Sequence, residues 1–271
     1  MATAKNTAVA VVEEVKNLPA TELGGYDLED FAGAGLENVS TKDMAIPFLS
    51  ILQALSPQLD ENNGKYVEGA KQGGIINTAL GRVYGRDEGI YVVPCGFQSR
   101  LVEWTPRESG GGFVAEHPTD SDLLQRTRKN EKGQDALPNG NLLVLTATHY
   151  VLLVDPDTGA ATQAVIPMSS TQLKKSRAWN SMMASIKVQG KNGMFTPPSF
   201  SQLYHLTTGP EKNAKGSWYS WQIENKGLVS VDVFRQACDF AESVKAGAVK
   251  IAREEIMGAD EHDPLTGECA F

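Results

Sequence analysis

Cysteine is scarce in this chain. Cys95, Cys238 and Cys269 lie far apart and form no CxxC pair. Three such residues supply neither a disulfide framework nor a zinc site, and they suit a reducing compartment. Histidine is also sparse: His117, His149, His205 and His262 fall in no HxxxH or HExxH pattern. No GxSxG elbow, GxxxxGK[ST] loop or strand-borne GxGxxG occurs. "DPDTG" at 155–159 starts like a calcium loop, but Ile166 stands where the bidentate acid is required, so these aspartates read as hairpin-turn residues. No catalytic residue, cofactor or metal is therefore expected, and the chain reads as a non-enzyme. No apolar run approaches the roughly 18 residues of a membrane span. "AVAVV" near the start is too short for a signal core and is followed by Glu13 and Glu14. The expectation is a cytoplasmic protein with no membrane partner.

What the chain does have is charge sorted by position. It holds 271 residues with a formal net charge of -8, which argues against nucleic acid if the charge is taken whole. Yet residues 165–222 carry Lys174, Lys175, Arg177, Lys187, Lys191, Lys212 and Lys215 against the single acid Glu211. The first 64 residues carry ten acids and three lysines, and from Glu254 to the end there are six acids and no Lys or Arg. A basic middle between acidic ends suggests a segregated anion-binding surface.

Four segments follow from composition and pattern. Residues 1–40 read as a flexible acidic segment. Residues 41–228 read as the folded domain, 229–257 as an amphipathic helix, and 258–271 as an acidic flexible tail. "STKDMAIPFLSILQALSPQ" predicts a helix, with Pro47 in its first turn and Ser56-Pro57 at its end. "GGIINTALGRVYG" and "GIYVVPCGFQSRLVEW" read as strands. Residues 105–140 read as a long polar loop with a short helical turn near 120–128, a length that marks function or mobility. "NLLVLTATHYVLLV" and "AATQAVIPM" flank a turn and predict a β-hairpin. "SSTQLKKSRAWNSMMASI" predicts a Ser/Thr-capped helix with Trp179, Met182, Met183 and Ile186 inward and the cations outward. "KVQGKNGMFTPPS" reads as a basic glycine-rich loop. "FSQLYHLTT" and "SWYSWQIE" make a second hairpin around "GPEKNAKG". A helix from Ser230 to about 257 carries Phe234, Ala237, Ala241, Val244, Ala248 and Ile251 as its apolar stripe. Hairpins with an inserted helix predict a mainly β chain with helices, an OB-fold-like antiparallel barrel rather than a doubly wound sheet.

The aromatics sharpen this. "KGSWYSWQIENKG" alternates faces, placing Trp218, Ser220 and Gln222 together and Tyr219, Trp221 and Ile223 opposite. Aromatics beside polar residues, with lysines at the hairpin tip, suit single-stranded nucleic acid: rings stack on bases and cations neutralise phosphates. The candidate interface is the seven cations above with Trp218 and Tyr204 as stacking residues. Trp104 and Arg100 are further lining residues, although Trp104 also fits as barrel closure. Phe113 is a candidate clamp, and Trp179 belongs to the core. Ordinary core packing of all the aromatics is the competing explanation. The tail residues Asp260, Glu261, Asp263, Glu268 and terminal Phe271 can occupy a basic groove or dock on a partner.

Taken together, "KDMAIPFLSILQALSPQ", "GGIINTALGRVYG", "YVVPCGF", "LVEWTPRESGGGFVAEH", "SSTQLKKSRAWNSM" and "KGSWYSWQIE" resemble tailed-bacteriophage single-stranded DNA-binding proteins over roughly residues 35–225, together with the acidic, Phe-terminated tail. The resemblance implies an OB-fold core that coats single-stranded DNA in the infected host cell. It also implies a tail that recruits polymerase, helicase or primase, and a homodimer. The 229–257 helix departs from that pattern, where a bare linker is usual. Two rival expectations stand: a single-strand annealing recombination protein, and a virion or host-interaction protein that binds no nucleic acid.

Overall fold

The computed structural model describes residues 22–39, 46–214, 216–249 and 251. The chain divides into two units, one up to Met44 and one from Ala45. In the first, β1 (Glu22–Leu23) and β2 (Tyr26–Asp27) form a small hairpin. A 3-10 turn over Leu28–Phe31 follows, capped by the Asp27 side chain. Tyr26 and Phe31 meet edge to face and remain exposed.

The second unit is built on two long antiparallel strands. β3 (Leu49–Ile51), β4 (Ile75–Asn77) and β5 (Arg82–Tyr84) make a three-stranded sheet. β6 (Ile90–Thr105) pairs along its length with β10 (Leu142–Val154). The sequence between them is structured, not a free loop. β7 (Gly112–His117) turns back onto β6, α1 (Leu123–Arg126) follows, and β8 (Arg128–Lys129) and β9 (Asp135–Ala136) lead into β10. β11 (Ala161–Ser169) completes the predicted hairpin with β10.

The chain then forms α2 (Leu173–Ser185), a small separate hairpin of β12 (Val188–Gly190) and β13 (Gly193–Phe195), and a long hairpin of β14 (Gln202–Asn213) and β15 (Gly216–Leu228). α3 (Val231–Lys245) closes it, with Ser230 accepting from the Val233 N–H as the cap. Among the described residues no helix is long and apolar enough to cross a membrane.

β6 pairs with β10 on one side and with β14 on the other, and β15 lies outside β14. A meander of three strands, a helix, then a hairpin returning beside the first strand is the Greek-key connectivity of a partly open five-stranded barrel. The fold is thus a mainly β barrel plus helices, as the pattern predicts. A bulge at Pro94–Gly96 bends β6, where two β10 neighbours, Tyr150 and Val151, face Gly96 and Pro94. The sheet curls there and buries both faces. Ile90, Val92, Val151, Ile166, Trp179, Tyr204, Leu206 and Trp221 fill one side. Val93, Cys95, Tyr150, Leu152 and Val165 meet Val233, Ala237 and Phe240 of α3 on the other. Gly96 is needed for that second contact, because a Cβ there would sit 2.7 Å from Val244 Cγ1.

The open side of the barrel is bridged by the segment predicted as a helix. Residues 40–45 lie outside the description, but Leu49–Ile51 is a strand. Phe48 bridges Val165 of β11. The Gln53 side chain reaches β15, accepting from Tyr219 N at 2.9 Å and donating to the Tyr219 carbonyl at 2.9 Å. A short, fully buried apolar run has no surviving periodicity, so the sequence does not separate strand from helix here. α3 is also shorter than predicted. It stops at Lys245, so Ala248 and Ile251 lie beyond it.

Candidate nucleic-acid interface

α2 is oriented by what it buries. Trp179 is fully enclosed, stacked on His149 at 4.5 Å and edge-on to Tyr204 at 5.6 Å. Ser176 and His149 Nε2 share a hydrogen bond of 2.8 Å. Burial pushes the His149 imidazole down to about 3, so it is neutral. With positions 176 and 179 inward, positions 174, 177, 178, 181, 184 and 185 face solvent. The helix has no Ser/Thr side-chain cap. A 3-10 turn over Ser170–Gln172 precedes it, and Gln172 is spent on β15. Its amide donates to the Tyr219 carbonyl at 3.0 Å and accepts from Ser220 Oγ at 3.0 Å.

Lys174, Lys175 and Arg177 on this helix form a row with Lys187 and Lys191 past its C-terminal end, while Lys212 takes the face of β14 opposite to Glu211. Lys174 and Lys175 reach Glu211 of β14 at 2.6 and 2.8 Å. Burial alone would raise the Glu211 carboxyl, but the two ammonium groups outweigh it and hold it below its usual range. The sole acid of the basic segment therefore neutralises part of it. Arg177 and Lys212 are exposed, with no ion pair among the described residues. At the other end of α2, Lys187 donates to the Ala184 carbonyl and to Thr196, and Lys191 stands exposed at the β12–β13 turn. Lys215 lies outside the described residues. Arg100 is half-buried on β6 opposite Thr146, away from this row in the strand register.

The aromatic candidates are placed differently from expectation. Tyr204 is 0% exposed and Trp104 4%, so both are core residues and neither offers a ring face to solvent. Trp104 packs edge-on with Phe113 across β6–β7, which also removes Phe113 as a clamp. Trp218 is 7% exposed, with the Lys174 ammonium 5.9 Å from its ring. Trp218 and Ser220 share the polar face of β15 and are both buried. α2 and Gln172 cover that face, so strand alternation places them correctly but misjudges their surroundings. Large exposed apolar side chains sit instead on β13, at Met194 and Phe195. In the sequence they lie within the glycine-containing stretch "KVQGKNGMFTPPS".

A second polar cluster had no motif to announce it. Glu103, on β6, is bonded to His117 at 2.8 Å, Asn141 at 2.6 Å and Asn139 at 3.3 Å. Burial raises its carboxyl, yet these donors together hold it below its usual range. The cluster fastens the 106–141 excursion to the barrel. The Cys95 thiol, pushed up to about 12 by burial, is no nucleophile. Among the described residues no group of His, Cys, Asp and Glu is arranged to hold a metal ion. Tail residues Asp260, Glu261, Asp263, Glu268 and Phe271 lie outside the description.

Residues 19–250 match the family described as Pam3 phage gp34-like protein. No curated protein and no solved structure matches the chain.

Proposed function

Starting from a chain that belongs to the Pam3 phage gp34-like family, we propose that it is a phage single-stranded DNA-binding protein. The observation that carries this reading is the row of exposed cations along α2. Arg177, Lys187 and Lys191 face solvent there, and the single acid of residues 165–222 is already paired. Between them the outer face of α2 carries only small side chains, Ala178, Ser181, Ala184 and Ser185. A phosphate chain can approach such a face closely while cations at both ends hold it. The 13 residues of α2 span about 20 Å, enough for several nucleotides. The strand order also fits, since barrels of this connectivity bind oligonucleotides. Lys174 and Lys175 join the site when phosphate replaces Glu211. In this reading the acidic tail recruits replication proteins such as polymerase, helicase or primase, and the protein coats strands during phage replication and recombination in the infected cell.

The test is anisotropy of a labelled 30-base single strand, titrated at several salt concentrations beside a duplex control. Four to six neutralised phosphates give a log–log salt slope of roughly -3 to -4. Charge reversal at Arg177 and Lys191 together is expected to weaken binding by about tenfold or more. No binding at low salt overturns the proposal.

A further inference from the structure

Phe195 sits on a hairpin that pairs with no other strand among the described residues. Gln189, Lys191, Asn192, Gly193, Met194 and Phe195 of that hairpin are exposed. An isolated two-stranded ribbon has little core of its own, so placing two large apolar side chains outward gains nothing for stability. The ring of Phe195 is nonetheless seated. It lies across the ribbon on Gly190, where a Cβ would stand 2.9 Å from Phe195 Cε1. Gly190 is therefore required for the ring to lie against the backbone. The Cδ1 and Cε1 atoms of the ring thus lie close against the ribbon, and Phe195 is 49% exposed. Lys191 lies at the turn beside it, and Lys187 braces the base of the ribbon through Ala184 and Thr196. No acid occurs between Lys187 and Phe200.

We propose that Phe195 is the base-stacking platform of this protein and that Lys191 neutralises the adjoining phosphate. The ligand is an unpaired nucleobase, whose flat face can stack on an exposed ring held against the ribbon. Paired bases in a duplex hide theirs. This rests on the single-strand reading above and names the group that reads single-strandedness, which the cation row by itself does not.

The test uses the full chain and four single substitutions: F195A, F195L, F195W and G190V. All four native tryptophans described are buried, at 7% exposure or less, so native emission is expected to change little on binding. F195W places a reporter at the proposed platform. Its added emission is expected to be quenched by a 30-base strand. F195A and F195L are expected to weaken single-strand binding by about 10-fold while leaving any duplex binding unchanged. G190V displaces the ring and reproduces that loss. On a strand of abasic residues, wild type and F195A bind alike. If wild type binds normal strands but F195A binds them equally well, or F195W is not quenched, Phe195 is not the platform and the cation row alone stands. If wild type binds no strand at all, the functional reading itself falls.

Discussion

His149 shows what one buried residue costs and fixes. Its Nε2 is matched to Ser176, while Nδ1 is enclosed without a partner. The folded value of about 3 lies below the ordinary 6.5. The unfolded chain therefore takes the proton first as pH falls. The stability from a neutral His149 is complete above about pH 6.5 and is lost progressively down to about pH 3. The limiting slope is about 1.4 kcal/mol per pH unit. Urea melts are expected to show wild type losing roughly 1–2 kcal/mol between pH 6.5 and 5, above most carboxylate titrations. His149→Gln is expected to flatten that slope. An unchanged slope in the variant means that other groups cause it. The sequence displayed this histidine in "THYVLLV" without hinting that Trp179, thirty residues later, would lie over it. Residue type was legible and environment was not.

At the scale of elements, the outer edge of β15 is finished by side chains in place of a strand. Gln53 and Gln172 both donate to the Tyr219 carbonyl, Gln53 accepts from Tyr219 N, and Gln172 accepts from Trp221 N at 3.4 Å. Two amide side chains thus stand in for the partner strand that a fully closed barrel would supply. Gln53→Leu leaves the part-buried Tyr219 N–H without a partner and is expected to cost about 1–2 kcal/mol by denaturant melts. A cost below about 0.5 kcal/mol would mean that water replaces the amide at this edge. The elements themselves were legible where pattern was long. The β10–β11 hairpin, α2 and the β14–β15 hairpin all stand close to their predicted positions. The failures were local. Within the 46–56 run, Leu49–Ile51 is a strand because β4 pairs with it on one side and β11 bridges Phe48 on the other. The 105–140 stretch is structured because β6 and β10 extend far enough to hold β7 and β9.

At the scale of the whole molecule the sequence carries its charge in separate stretches, and Glu211 is the acid within the basic one. With two lysines tied to it, part of the basic segment is held in reserve. Glu211→Gln frees both ammonium groups. It is expected to tighten single-strand binding about 3- to 10-fold at low salt and to steepen the salt slope by roughly 0.7 per added phosphate. Weaker binding in that variant would mean that the carboxylate presents the lysines rather than occupying them. The comparison is read from anisotropy across a salt series.

The sequence by itself determined the mainly β class, the inserted helix and the charge segregation along the chain. These depend on local periodicity and composition, which a linear chain carries openly. Only the tertiary structure decided which aromatics are available to a ligand. Trp104, Tyr204 and Trp218 alternate as half-exposed strand residues should, but α2, β7 and the barrel interior cover them. Phe195 sits in an unpromising glycine-rich stretch, and Gly190 opens a place for its ring. Alternation tells which face of a strand a side chain takes. What lies over that face is set by residues distant in sequence, and here that decided between core and surface.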